Sequence, residues 1–153
     1  MVKNFLTSLV GQLLLVLLGL AVISACSLEA NTKPHATLNL NGTQWHLKTL
    51  KGATLKTERP LSISFDSNRM SGYSGCNSFF GSYTASSDGV FGTGAIGATK
   101  MACIGERDQL ERDYLDRLAQ ASTYTASRDQ LQLLDAQRKV LLSFVSAPAT
   151  KRL

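Results

Sequence analysis

Leu61-Ser62-Ile63-Ser64-Phe65-Asp66-Ser67-Asn68-Arg69-Met70 is the stretch on which the fold turns. Leu61, Ile63 and Phe65 alternate with Ser62, Ser64 and Asp66, and a period of two marks a strand with one buried face. Asp66-Ser67-Asn68 then reads as a turn, because these side chains bond their own backbone, and residues 70–73 return as the next strand. Upstream, Trp45 and Leu47 alternate with Gln44, His46 and Lys48 in the same way. Downstream, a strand around 80–85 leads to Asp88-Gly89, a strong hairpin signal since both residues tolerate positive φ, and 90–95 comes back. Leu131 with Leu133, then Val140, Leu142 and Phe144, give two closing strands joined by the polar segment 135–139.

One segment breaks this rhythm. Over residues 106–121 the period becomes helical: Leu110, Tyr114 and Leu118 fall at successive i, i+4 positions with Leu115 beside them, which makes a single apolar stripe. Glu106 and Asp108 suit the positive end of a helix, and Asp108 with Arg112 and Asp113 with Arg117 are spaced for ion pairs. The expected class is α+β: a mostly antiparallel, strongly curved, barrel-like sheet packed on one amphipathic helix.

The chain's first 25 residues have a different chemistry. Lys3 is followed by an unbroken apolar run from Leu13 to Ile23, the charged-then-apolar layout of a secretory signal. Without polar interruption the run is about half of the roughly 20 residues a membrane-spanning helix needs. It ends in Ile23-Ser24-Ala25-Cys26, which is similar to the lipobox of bacterial lipoproteins. Small residues let the extended chain enter a narrow protease cleft, and only a thiol at the next position can be made a thioether to diacylglycerol. Residues 1–25 are therefore expected to be a signal peptide and Cys26 the lipidation site, with the membrane as a partner through that anchor. Two or three acyl chains, at about 0.8 kcal/mol per buried methylene, hold where one holds only marginally. Ser27 in the next position resembles an outer-membrane sorting signal of Gram-negative lipoproteins, which points to the periplasmic face of the outer membrane.

Residues 26–41, with Pro34 and few large apolar groups, read as a flexible tether, 42–146 as the folded domain and 147–153 as a tail. Of the formal charge of +5, Lys3 belongs to the leader, which leaves 15 basic against 11 acidic residues. The basic residues are scattered and are not interleaved with stacking aromatics, so nucleic acid is not an expected partner.

Eight of the twelve glycines lie between Gly72 and Gly105, and Gly92-Thr-Gly94-Ala-Ile-Gly97 spells GxGxxG. That fingerprint binds a dinucleotide only where a strand enters and a helix opens at the glycines, and no such βα unit is expected here. Bends and bulges in a curved sheet are the better reading of these glycines. With Cys26 committed to lipid, Cys76 and Cys103 remain as an even pair in an oxidising compartment. A disulfide is the expectation and free structural thiols the alternative. A metal site lacks ligands, because the only histidines are His35 in the tether and His46 on the polar side of a strand, and no cofactor is expected.

Gly75-Cys76-Asn77-Ser78-Phe79-Phe80-Gly81-Ser82-Tyr83, followed by Thr99-Lys100-Met101-Ala102-Cys103, resembles the signature of the META domain, the HslJ-like family. Gly42-Thr43-x-Trp45-x-Leu47, Glu111-x-x-Tyr114-Leu115-x-x-Leu118, Leu131-x-Leu133 and Leu141-x-x-Phe144 are similar to the rest of its pattern, so the resemblance covers about residues 41–146. Ile104-Gly105 departs from it, since members often carry a proline after the second cysteine. The resemblance implies a compact β-rich domain with one helix, common on exported or lipid-anchored bacterial proteins, associated with stress and drug tolerance and without an assigned reaction. Its shared residues are glycines, cysteines, Asn77 and aromatics, of the kinds that strained turns and packing require.

The functional expectation is a non-catalytic envelope lipoprotein whose domain binds or supports another envelope protein. The alternative is a carrier or sensor that holds a small apolar ligand inside the curved sheet. An enzyme is not expected, because Asp, Glu and His are nowhere clustered in a motif.

Overall fold

The computed structural model describes residues 38–148. The leader, Cys26, most of the tether and residues 149–153 lie outside the described residues. The described residues form one sheet and one helix. The elements are β1 (Gln44–Leu50), β2 (Ala53–Thr54), β3 (Ser62–Asp66), β4 (Arg69–Tyr73), β5 (Ser78–Ala85), β6 (Phe91–Ala98), α1 (Glu106–Gln120), β7 (Thr123–Ala126), β8 (Gln130–Leu134) and β9 (Val140–Ser146).

The strands pair in the order β6-β5-β4-β3-β1-β9-β8-β7, with the short β2 attached to β1, and every pairing is antiparallel. The sheet curls into a half-barrel whose two ends approach each other. Phe91 N–H bonds to the Ser122 carbonyl at 2.9 Å and Tyr124 N–H to the Gly89 carbonyl at 2.8 Å, which ties the start of β6 to the start of β7. Shifts of register between Gly81 and Tyr83 and between Leu47 and Thr49 accompany the curvature, as bulges do.

Alternation decides which faces turn inward. Ile63 and Phe65 are buried with Leu61 just ahead of them, and Trp45 and Leu47 face the same core. The turn expected at 66–68 has Ser67 at φ 56°, held by the Asn41 side chain, whose Oδ1 accepts the Ser67 N–H at 2.6 Å. Gly89 closes the second hairpin at φ 88°. The segment 135–139 turns around Asp135, whose carboxylate accepts the N–H groups of Gln137 and Lys139 at 3.0 and 2.9 Å.

The helix fills the curl. Tyr114 is fully buried and meets Phe79 of β5 edge-on, with ring centres 5.6 Å apart, and Phe144 of β9 at 6.4 Å. Three strands separate β5 from β9 in the sheet order, so one side chain can touch both only if the sheet wraps around it. A second aromatic cluster, in which Phe65 meets Tyr83 at 4.7 Å and Phe91 meets Tyr124 at 6.3 Å, seals the seam where the ends of the sheet meet. Rings in such edge-on pairs contribute about 0.5–1.5 kcal/mol beyond their buried area.

Several details depart from expectation. Strand β7 and the two-residue β2 have no counterpart in the sequence reading, and the strand expected at 90–95 runs on to Ala98. Asp108 pairs with Arg112 as spaced, but Asp113 makes its close contact with Lys51, at 2.7 Å, and Arg117 acts on it only from farther off. A tertiary partner offered by the turn after β1 wins over the neighbour along the helix. Packing also begins ahead of residue 42: Leu40 is fully buried and Leu38 N–H bonds to the Ala126 carbonyl at 3.3 Å. Gly92, Gly94 and Gly97 all lie within β6, paired along its length with β5, so the GxGxxG spelling has no helix to open.

Candidate functional site

Between β4 and β5 the chain makes a tight turn through Ser74-Gly75-Cys76-Asn77. Gly75 sits at φ 108°, a conformation side chains rarely adopt, and a Cβ there would come within 3.2 Å of Leu110 on the helix. The turn closes on itself when Ser74 N–H donates to the Asn77 carbonyl at 2.9 Å, while the single Ser74 hydroxyl proton is shared between that carbonyl and Glu111 Oε2, each 2.7 Å from Oγ. Ser74 and Asn77 are both buried, so each polar atom needs a partner.

Asn77 meets that demand with four side-chain contacts in two directions. Its Oδ1 accepts from Thr99 Oγ1 at 2.8 Å and from Met101 N–H at 2.7 Å, which fixes the segment that follows β6. Its Nδ2 donates to Glu111 Oε1 at 3.0 Å and to Cys76 Sγ at 3.3 Å. Glu111 Oε2 accepts from Asn77 N–H and from Ser74 Oγ, each at 2.7 Å. Partial burial alone would raise the Glu111 carboxyl, but the hydrogen bonds from Ser74 and from the Asn77 backbone and amide hold it below the usual carboxylate range.

Cys76 is buried and Cys103 half-buried; their Cα atoms are 6.2 Å apart and the pair stands at disulfide distance. The segment from Thr99 to Gly105 is thus fastened at Thr99, at Met101 and at Cys103. Between and beyond those ties it presents Met101 and Ile104, 64% and 85% exposed, to solvent. Gly105 at φ 69° turns the chain directly into α1.

A surface cleft of about 470 Å³ opens on the other side of the same turn, between residues 55–61 and the first turn of α1. Tyr73 forms one wall, its hydroxyl donating to the Gly75 carbonyl at 2.6 Å, and the Arg59 guanidinium lies over its ring, 3.9 Å from the centre.

The polar cluster acts chemically as a clamp. Both Glu111 oxygens and both Asn77 amide atoms are engaged within the cluster, and among the described residues no three His, Cys, Asp or Glu side chains gather as a metal would require. His46 is half-exposed on β1, outside the cluster. The structure thus brings Cys76, Cys103 and Asn77 together. It adds Ser74, Thr99 and Glu111, which sequence reading did not single out as partners.

A family profile described as META domain matches residues 38–148. An NMR structure of a protein from Burkholderia xenovorans is similar, with 26% identity, a TM-score of 0.58, and coverage of 71% of this chain and 83% of that one. A second protein solved by NMR is 24% identical with a TM-score of 0.56, over 69% of this chain and 90% of its own. The crystal structure of a DUF4847 family protein from Bacteroides vulgatus is 14% identical with a TM-score of 0.50, over 69% and 93% of the two chains. These last two likenesses show the fold alone. No curated protein matches the chain.

Proposed function

The chain belongs to the META-domain family, and on that premise we propose that it is a non-catalytic envelope lipoprotein, held on the outer membrane's periplasmic face through lipid on Cys26, whose domain binds or supports another envelope protein under stress or drug challenge. The sequence Ile23-Ser24-Ala25-Cys26-Ser27 supports the anchor and its placement. The observation that carries the binding role is the fastened segment 99–105. Met101 and Ile104 are exposed on a segment tied down by two hydrogen bonds and a cysteine pair, so a partner that covers them gains apolar burial without first ordering the loop. Burying such side chains is worth about 1.5–3 kcal/mol each.

The reading of a small apolar ligand inside the sheet finds less room. Trp45, Phe65, Phe79, Tyr114 and Phe144 occupy the interior, each with at most 1% of its surface exposed.

A photo-crosslinking residue placed at Ile104 in cells, with one at Arg128 on the β7–β8 turn as control, tests the binding role. A discrete adduct from position 104, absent from position 128 and lost in a Met101→Asp variant, is the expected result. Adducts that do not depend on position would sink it. The anchor is tested separately by Cys26→Ser, which should leave the leader uncleaved and abolish acylation.

A further inference from the structure

The cleft beside the Ser74–Asn77 turn is chemically unlike the apolar interior, and nothing in the clamp uses it. Leu61, 1% exposed, forms part of its floor with the half-buried Leu55 and Leu110. Its volume of about 470 Å³ lies in the range of roughly 300–1,000 Å³ over which small-molecule sites are found.

Arg59 supplies the recognition element. A guanidinium stacked on an aromatic ring uses its flat face and leaves the N–H donors around its edge pointing outward, a planar fork that matches an oxyanion. Tyr73 cannot swing away, because its hydroxyl is fixed on the Gly75 carbonyl. Arg107, in the first turn of α1, brings a second guanidinium to the same cleft, and Lys56 an ammonium. None of the three forms an ion pair among the described residues, whose two ion pairs are Lys51–Asp113 and Asp108–Arg112. Glu58 and Glu106 also line the cleft, so three cations face two carboxylates, and one positive charge is left in excess. That balance suits a singly charged anion better than a dianion, and the leucine floor suits an apolar body attached to it.

We propose that this cleft is a binding site for a small organic acid, a monocarboxylate carried on an alkyl or aryl body. The carboxylate is held by the edges of Arg59 and Arg107, and the body rests on Leu55, Leu61 and Leu110. The site is independent of the partner role assigned to residues 99–105.

The test uses the whole lipidated protein in nanodiscs of zwitterionic lipid, with empty nanodiscs subtracted. Binding of 4-phenylbutyrate is compared with that of 4-phenylbutanol and of inorganic phosphate. The acid should bind about ten-fold more tightly than either, since the alcohol lacks the charge-assisted bonds and phosphate lacks the apolar body. Arg59→Gln and Arg107→Gln, both at exposed positions, should each weaken the acid about five- to ten-fold and leave the alcohol unchanged. Leu55→Asp should weaken both organic probes. Equal binding of acid and alcohol, or arginine variants that bind the acid as wild type with unaltered melting temperatures, would overturn the assignment.

Discussion

Glu111 grips Asn77 at two points: Oε2 accepts its backbone N–H at 2.7 Å and Oε1 its side-chain amide at 3.0 Å. One carboxylate on the helix thereby sets the orientation of the amide that holds Thr99 and Met101 from its other end. The helix, the β4–β5 turn and the segment after β6 become a single rigid unit through two side chains.

Removing the hub should show this coupling. Asn77→Ala strands the Thr99 hydroxyl, the Met101 N–H and one Glu111 oxygen, at about 1–3 kcal/mol for each group left buried and unpaired. Partial access of water to the outer groups brings the expected loss to roughly 2–4 kcal/mol in urea unfolding. Asn77→Asp should cost more than Asn77→Ala at neutral pH, because it sets a second carboxylate against Glu111. A loss below about 0.5 kcal/mol, the level of an ordinary surface substitution, would mean that the cluster does not hold the turn.

Glu111 also gives the domain a signature in pH. Its carboxyl is depressed in the folded state, so the unfolded chain binds the proton more readily, and the stability it contributes is present above the ordinary carboxylate value near 4.3. That contribution is lost as pH falls through the depressed folded value. Unfolding free energies from pH 7 down to 3 should therefore converge for wild type and Glu111→Gln at the acid end while differing at neutral pH. A gap that stays constant across the range would show that the carboxylate's charge plays no part.

The cysteine pair should be covalent in envelope-derived protein. Non-reducing peptide mapping is expected to find Cys76 joined to Cys103, closing a loop of sequence separation 27. On the chain-entropy account such a bond stabilises by roughly 3–4 kcal/mol, so reduction should lower the melting temperature clearly. It should also expose the segment from Ala102 to Gly105 to proteases, while the Asn77 bonds keep Thr99 and Met101 in place. Two free thiols in such protein would refute the pairing.

Much of this architecture was legible because burial writes itself into local period. Leu61, Ile63 and Phe65 alternate with serines and an aspartate, and Leu110, Tyr114 and Leu118 repeat every fourth residue, so strand and helix announced themselves. Strand β7 did not: Thr123-Tyr124-Thr125-Ala126 carries one large apolar side chain and takes its strand character from pairing with β8 and from the contact with Gly89. The cysteines and Asn77 stood out as a motif and Glu111 as the first residue of a helical one, but nothing in the sequence joined Glu111 to Asn77. A glutamate on a helix normally faces water, and no local pattern signals a turn 34 residues earlier that needs an acceptor. For the same reason Asp113 was paired along its helix with Arg117 and not with Lys51, 62 positions away.

Two glycines separate steric need from mere tolerance. A Cβ on Gly72 would lie 2.0 Å from the Ser62 carbonyl oxygen and 2.7 Å from the Phe79 ring, so both a backbone strand and a core aromatic stand in its way. The carbonyl cannot yield without parting β3 from β4, nor the ring without disturbing its packing on Tyr114, and Gly72→Ala should cost more than about 3 kcal/mol, at the upper end for a single overpacked methyl. A Cβ on Gly94 would meet only Ser82 Oγ, at 2.3 Å, and that exposed hydroxyl can rotate into solvent. Replacing a glycine also restricts the unfolded chain, which favours folding by about 0.4–1 kcal/mol where the native backbone permits alanine. Gly94→Ala should therefore fall within about 1 kcal/mol of wild type, although Gly94 is the central glycine of the GxGxxG spelling. Urea unfolding of the two variants side by side decides the matter: equal losses would mean that β6 needs its glycines for a reason other than room.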